Sequence, residues 1–174
     1  LEQGQSVAVV SDAGYPLISD PGQNIVEQVT AAGYNVVPVS GCSASLNALV
    51  ASGLKAQPFL FKGFLSSNDR ECVKELEGLK ALPFTLIFYE APHRIERMLG
   101  HCLEVLGDRK ACLAREITKR HEEFLRGTLS EIKEAAAGLK GEMVVVIEGC
   151  AEESEPVIDM ALITEQINER IQSG

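Results

Sequence analysis

The spacing of hydrophobic positions changes several times along this chain. Short runs rich in valine, isoleucine or phenylalanine predict buried strands, and these lie at 6–11, 34–39, 58–62, 84–89, 110–114, 123–126 and 142–148. Between the runs, apolar residues three or four positions apart predict amphipathic helices, which lie at 21–32, 43–52, 66–82, 92–106, 128–138 and 156–172. The alternation predicts an α/β fold, with a parallel sheet in the first sixty residues.

Turn and capping residues refine the ends of these helices. Asp20 before Pro21 predicts an N-cap followed by proline at the first helical position. Gly33 predicts the end of that helix. Thr128, with Glu131 three residues later, predicts a capping box.

The pattern also predicts how the chain is divided. A turn-rich stretch between residues 63 and 67 marks a boundary, and the composition becomes acidic after Gly149. We therefore predict an α/β unit at 1–63, a second α/β unit at 64–150, and an acidic tail at 151–174 with one helix.

Composition narrows the class of protein. The chain has 174 residues, of which 45% are hydrophobic, enough for a buried core, and its net charge is −9. No apolar run reaches the roughly 20 residues that span a bilayer, and Leu1–Gly4 does not resemble a secretory signal. The acidic charge counts against stand-alone RNA binding. Basic residues nevertheless cluster within 109–126, whereas much of the acid lies in the tail.

The five cysteines are scattered and form no CxxC pair. This pattern argues against both a disulfide framework and a structural zinc site. We expect reduced cysteines in a cytoplasmic protein, with no bound metal.

Three loops follow predicted strands where ligands bind in open α/β sheets. In the first, 12–22, Asp12 is suited to accept hydrogen bonds from a ribose or an amino group, or equally to cap a turn. In the second, 40–45, Ser43 begins a helix whose free N–H groups suit an anion, although a simple N-cap needs no ligand. This loop departs from the G-x-S-x-G nucleophile elbow at Ser45, and none of the three histidines (His93, His101, His121) is singled out as a base.

The third loop, 89–94, brings an acid and a base together. Arg94 opposes the dipole at a helix start, which indicates a ligand contact or an ion pair with Glu90. A fourth cluster, 114–120, leaves a predicted strand with several charges and is typical of a site wall. The chain has neither G-x-G-x-x-G nor the P-loop pattern, which disfavours NAD-type and P-loop proteins.

Ser11–Gly22, SDAGYPLISDPG, resembles the SDAGTPLISDPG signature of the small-subunit rRNA (cytidine 2′-O)-methyltransferases, a branch of the tetrapyrrole-methylase superfamily. The resemblance covers about residues 5–149. Further matches follow in the same order: PVSGCSA at 38–44, FKGFL at 61–65, YEAPHR at 89–94, AREITK at 114–119, RGTL at 126–129 and GEMV at 141–144.

The resemblance implies two α/β domains of the tetrapyrrole-methylase type, with S-adenosylmethionine in the cleft between them, and a homodimer. It implies that the donor contacts seven residues: Ser11, Asp12, Tyr15, Ser43, Ala44, Glu90 and Ile117. The family also has a TPIGN-like strand and loop ahead of the matched part, so we expect the first domain and its site to be incomplete in this chain. The family threonine is Tyr15 here, and its ring is expected to narrow the cleft or to shield the donor.

Methyl transfer from a sulfonium is an in-line displacement that depends on positioning. We predict that Arg94 and Lys119 hold substrate phosphate and that Glu116 accepts the ribose hydroxyl proton. The expected substrate is small-subunit rRNA, preferably as an assembled ribosomal subunit that meets the basic residues of 109–126. Two alternatives remain open, namely a C-methyltransferase acting on a precorrin-type tetrapyrrole and a truncated, non-catalytic nucleotide-binding module.

Overall fold

The computed structural model describes residues 1–12 and 14–151 of the chain. The predicted tail helix at 156–172 lies outside the described residues. In the described part, none of the helices is both long and apolar enough to cross a membrane.

A mixed five-stranded sheet forms the centre of the molecule. In chain order its strands are β1 (Phe59–Phe64), β2 (Thr85–Glu90), β3 (Lys110–Arg115), β4 (Glu123–Thr128) and β5 (Met143–Ile147). Their spatial order is β1-β2-β5-β3-β4, in which only β1 and β2 pair in parallel. All five strands were predicted from their apolar runs, but the direction in which they pair was not.

Helices cover both faces of this sheet. On one face α3 (Asp69–Leu79), α4 (Ile95–Leu106) and α5 (Leu129–Ala135) bury the larger core, which includes Phe88, Leu99 and Val145. On the other face α2 (Ala44–Ser52) packs Ala48 and Leu49 against the sheet. Because neighbouring residues of a strand point to opposite faces, the uninterrupted apolar run of β5 supplies both cores.

The predicted capping box is confirmed at the start of α5. The hydroxyl of Thr128 accepts a hydrogen bond from the amide of Glu131, and the Glu131 carboxylate accepts one from the amide of Thr128 at 2.8 Å. These contacts satisfy two helix-end N–H groups, so the local sequence alone fixes where α5 begins.

The prediction of buried parallel strands at 6–11 and 34–39 is wrong. Both segments run without ladder partners, and their valines are exposed, with Val10 at 84% and Val39 at 85%. A valine-rich run favours extended backbone, but a strand also needs a neighbour to accept and donate its hydrogen bonds. Since neither segment has that neighbour within residues 1–12 and 14–151, the parallel sheet predicted for the first sixty residues is absent from the described structure.

The predicted N-cap at Asp20 is also wrong. Helix α1 (Gln23–Ala31) begins after Gly22, which occupies the N-cap position with φ 132°. The Asp20 carboxylate instead accepts a hydrogen bond from Ser11 Oγ at 2.6 Å, a partner nine residues away. The carboxylate of a turn residue can accept from a nearby hydroxyl in place of the helix amides, and here its partner is Ser11.

The predicted division of the chain at residue 63 remains a prediction. Gly63 lies inside β1, which pairs along β2, and α2 packs on the sheet that the later residues build. These contacts join residues from 44 onward to the same cores.

Candidate functional site

The carboxyl ends of three strands lie at one edge of the sheet. Strand β1 is parallel to β2, and both β2 and β3 are antiparallel to β5, so β1, β2 and β3 point the same way. The register aligns Glu90 with Met143, Met143 with Arg115, and Arg115 with Glu123. Consequently the loop after β2 and the charged cluster after β3, which are separated in sequence, open at the same edge.

The first two predicted loops meet each other. The Tyr15 hydroxyl accepts a hydrogen bond from the amide of Gly41 at 2.8 Å. A Cβ placed on Gly14 would lie 3.8 Å from the carbonyl oxygen of Cys42. Tyr15 therefore joins the loop after residue 11 to the loop after residue 40.

The first loop also lies against the end of β1. Gly63 has φ +76°, and a Cβ there would approach Ser19 Oγ to 3.2 Å. Gly63 pairs with Phe88 of β2, which lies two residues before Glu90. A side chain at residue 63 would be strained at this φ and would crowd Ser19 Oγ, so glycine suits this close approach.

The second loop reaches the same edge through α2. Ser43 is the N-cap of this helix, and Ala44 is the first helical residue. Ser43 Oγ lies 3.0 Å from Ser45 Oγ. The apolar cluster beneath α2 is bordered by Tyr89 at the end of β2 and by Ile117 after β3. Helix α2, the end of β2 and the turn after β3, which all carry or adjoin predicted donor-binding residues, thus border one apolar cluster. Asp12 is exposed, and its side chain makes no hydrogen bond or ion pair among the described residues.

Glu90 and Arg94 form a buried ion pair behind this edge. The Glu90 side chain is fully buried, Arg94 is 19% exposed, and an Arg94 terminal nitrogen lies 3.3 Å from Glu90 Oε2. The same nitrogen donates to the carbonyl oxygens of Leu65 at 3.0 Å and Ser66 at 3.1 Å. Glu90 Oε1 accepts from the amide of Ala91 at 2.8 Å. Of the alternatives for Arg94, this geometry favours the ion pair over a ligand contact.

Glu116 and Lys119 form a second, more exposed ion pair. Glu116 Oε1 accepts from the amide of Glu142 at 2.8 Å and from Lys119 Nζ at 3.1 Å, and Lys119 Nζ also lies 3.0 Å from Glu142 Oε2. The hydrogen bond from the Glu142 amide, followed by that from Lys119, lowers the pKa of Glu116. The hydrogen bond to the Glu142 carboxylate, followed by that to Glu116, raises the pKa of Lys119. Both groups are therefore charged at neutral pH.

The basic residues of 109–126 are not one surface. Arg109 donates to the carbonyl oxygens of Lys80, Leu106 and Glu148 at the opposite end of β3 from Arg115. Residues 110 and 115 are roughly 17 Å apart along a six-residue strand. The prediction of a single substrate-facing basic cluster is therefore wrong, because a strand separates what the sequence places close together.

Arg126 belongs to neither end of that strand. Its guanidinium donates to the carbonyl oxygen of Ala51 near the end of α2 and lies 5.2 Å above the centre of the Phe124 ring. Lys119 and Arg120 remain exposed at the site edge.

Gly141 and Glu142 belong to the edge although the sequence predicted no role for them. A Cβ on Gly141, whose φ is +99°, would lie 2.5 Å from Glu116 Cγ. The signal available was a glycine just before a buried strand, but nothing local shows that residue 116 folds over it. Within residues 1–12 and 14–151, no group of three or more histidine, cysteine, aspartate or glutamate side chains is placed to hold a metal ion.

Comparisons with known proteins agree with this architecture. The chain is 50% identical over 151 residues to the ribosomal RNA small subunit methyltransferase I of Bacillus subtilis, with 86% of this chain and 52% of that protein aligned. Among solved structures, the methyltransferase CobJ matches with a TM-score of 0.63 at 23% identity, over 86% of this chain and 67% of that one.

A second structure extends the comparison. The uroporphyrin-III C-methyl transferase of Thermus thermophilus, complexed with S-adenosyl homocysteine, has a TM-score of 0.51 at 20% identity over 78% of this chain and 62% of that one. The chain spans about half the length of the first curated relatives that it matches. At these identities the two structures support the fold alone.

The family can be assigned independently of any one relative. Residues 1–133 match the family described as tetrapyrrole (corrin/porphyrin) methylases. That range includes four of the strands, four of the helices and all three of the loops considered above. The chain therefore belongs to the tetrapyrrole methylases.

Proposed function

We propose that this protein transfers a methyl group from S-adenosylmethionine to the 2′-hydroxyl of a cytidine ribose in small-subunit rRNA. The observation that carries the proposal is the meeting of the first two loops, through Tyr15 and Gly41, beside the end of β1. The name of the 50%-identical relative supports the choice of ribosomal RNA over other methyl acceptors.

The donor-binding residues that we propose are those that the family resemblance implies. We assign Ser11, Asp12 and Tyr15 from the first loop and Ser43 and Ala44 from the start of α2. On the β2 and β3 side we assign Glu90 and Ile117. Asp12 is the accessible carboxylate for ribose hydroxyls or for the positive charge of the sulfonium, whereas Glu90 acts from within the protein because its side chain is fully buried.

The chemistry requires alignment more than covalent participation by the protein. The sulfonium supplies the methyl group; its carbon–sulfur bond breaks as the ribose oxygen forms a new carbon–oxygen bond, and the hydroxyl proton leaves to a base. Holding the oxygen opposite sulfur, about 3 Å from the carbon, supplies much of the rate. The base we assign is Glu116, with Lys119 on the phosphate side.

The contacts of Glu116 limit how strong a base it can be. A general base is most effective when its pKa lies near the working pH, and the Glu142 amide and Lys119 lower the pKa of this carboxyl. We therefore expect Glu116 to contribute by orienting the hydroxyl and the 116–122 turn as much as by removing the proton.

The substrate we favour is an assembled ribosomal subunit. With a net charge of −9 the whole chain repels bare RNA, so binding depends on local basic residues at the site edge, such as Lys119 and Arg120. The proposal includes a homodimer, which the family resemblance implies. It also includes a cytoplasmic location, since a ribosomal substrate is found in the cytoplasm.

Two measurements separate this function from its alternatives. Calorimetry tests binding of S-adenosylmethionine, and transfer of a labelled methyl group is then measured to small ribosomal subunits and to uroporphyrinogen. We expect binding, with label on the ribosomal subunit only, in the protein at the full length of its curated relatives, of which this chain spans about half. Label on uroporphyrinogen would indicate a tetrapyrrole methylase, and no donor binding would indicate a non-catalytic module.

Glu116→Gln tests the assignment of the base. We expect the rate of methyl transfer to fall about 100-fold or more, because amide oxygen is a far weaker proton acceptor. The control is Glu104→Gln, an exposed glutamate on α4, which should transfer normally. An unchanged rate for Glu116→Gln would remove Glu116 from the base role.

A further inference from the structure

The buried pair of Glu90 and Arg94 connects two strand ends that border the proposed donor site. Glu90 ends β2, and Arg94 is the N-cap residue of α4 four positions later. One terminal nitrogen of Arg94 contacts Glu90 and also the carbonyl oxygens of Leu65 and Ser66, which directly follow β1. A single guanidinium thus links the exits of the two parallel strands.

The link lies mostly in the interior of the protein. The Arg94 side chain is 19% exposed, and both Arg94 Nε and Glu90 Oε2 are buried without a hydrogen-bond partner among the described residues. Turning outward the nitrogen that pairs with Glu90, to hold a phosphate at the surface, would leave the Glu90 charge unpaired in the interior. Leaving one member of a buried pair alone is strongly unfavourable.

The segment that Arg94 holds leads to the first loop. Gly63 comes two residues before Leu65 and lies against Ser19 of that loop. On the other side, Glu90 Oε1 accepts the amide of Ala91, which fixes the start of the loop after β2. Movement of the guanidinium would therefore shift the segment after β1 and the loop after β2 together.

We propose that Arg94 is a positioning residue, and that its buried pair with Glu90 sets the spacing between the loops after β1 and β2 for donor binding. This inference rests on the proposed function, since it takes the donor to bind at that edge. It replaces the phosphate contact that the sequence predicted for Arg94 with an internal role.

Three variants test the inference through donor affinity and stability measured separately. The probe is S-adenosylhomocysteine, titrated by calorimetry, and stability is the midpoint of thermal unfolding. Arg94→Gln should lower the midpoint and weaken binding about tenfold or more, as expected for lost charge-assisted hydrogen bonds. Arg94→Lys should recover part of the stability but little of the affinity, because one ammonium group cannot reproduce the planar guanidinium.

The double variant Glu90→Gln with Arg94→Gln distinguishes positioning from stability. It leaves no buried charge, so its unfolding midpoint should return towards that of the unchanged protein, while it should bind more weakly than Glu90→Gln alone, the reference for any donor contact of Glu90 itself. It also keeps the test valid if Arg94→Gln alone does not fold. The matched control is Arg97→Gln on the same helix; this arginine is 50% exposed and pairs with Asp69, so neither quantity should change.

Each other outcome has a definite meaning. Folded Arg94 variants that bind S-adenosylhomocysteine normally but show a raised KM for ribosomal subunits would overturn the inference in favour of a phosphate contact. Normal affinity with normal KM would overturn it in favour of a purely structural pair. If the unchanged protein binds no S-adenosylhomocysteine, the donor site itself fails, and the positioning role with it; the stability cycle then shows whether the ion pair alone is present.

Discussion

At the scale of single residues, Glu116 and Gly141 depend on each other. Glu116 has φ +49°, which is unusual for a residue with a side chain, and its carboxyl group folds over the glycine to reach the Glu142 amide. The carboxylate in turn holds Lys119. These contacts hold the exposed, charged turn after β3 against the start of β5.

Replacing Gly141 tests that dependence. We expect Gly141→Ala to reduce the free energy of unfolding by about 1–3 kcal/mol, because its φ is +99° and its Cβ would overlap Glu116. Urea unfolding measures the change. Gly78→Ala, in α3 with open space around its Cβ, should instead be neutral or stabilising. Equal effects of the two changes would show that Gly141 is not packed against Glu116.

The lowered pKa of Glu116 predicts how stability depends on pH. A carboxyl group whose pKa is lower in the folded than in the unfolded protein binds fewer protons when folded. Its stabilisation is complete above the ordinary glutamate pKa of about 4.3 and is lost as the pH falls through the folded value. Glu116→Gln should therefore lower the unfolding midpoint at pH 7, and the difference should disappear in stronger acid.

Thermal unfolding measured from neutral to acidic pH checks this sign. Glu104→Gln serves as the control, since this exposed glutamate has no ion pair or hydrogen bond among the described residues. A difference that grows as the pH falls would show that Glu116 does not stabilise as a carboxylate.

At the scale of elements, predictions were right where the information was local. The capping box of α5 needs only Thr128 and Glu131, three residues apart, and both contacts are present. The N-cap expected at Asp20 failed because Ser11 approaches from a distant part of the loop. A hydrogen bond between residues a few positions apart can be predicted from sequence. Replacement of that bond by one to a more distant residue cannot.

Thr128→Ala measures what the capping box contributes to α5. We expect a loss of about 1 kcal/mol in the free energy of unfolding, since the helix loses the acceptor for the Glu131 amide. Thr128→Ser keeps the hydroxyl and should lose little. Urea unfolding compares the three proteins, and equal stability of all three would show that the cap is unimportant for α5.

At the scale of the whole molecule, burial differs sharply between residues 1–42 and the residues that follow. The sheet and its helices hold both apolar cores, while residues 1–10 and 31–42 are exposed throughout. The basic residues are also separated in space, because Arg109 and Arg115 lie at opposite ends of β3. Which residues share the candidate site depends on which strand ends lie at the same edge of the sheet. Closeness in sequence does not predict this.

Hydrogen exchange would reveal this difference directly. We expect amides of β2, β3 and β5 to exchange slowest, because these strands are paired on both sides within the sheet. Amides of 6–10 and 35–39 should exchange close to the unprotected rate, since they lack ladder partners. Strong protection of those segments would mean that they acquire strand partners in solution.

The sequence by itself determined the elements from residue 44 to 148, their α/β class and the loops of the candidate site. Those features follow from hydrophobic period and local capping, which act over a few residues. Only the tertiary structure decided the mixed pairing of the strands, the separation of Arg109 from Arg115 and the burial of Arg94. These depend on contacts between distant residues, and the solvation of a charge is set by everything that surrounds it.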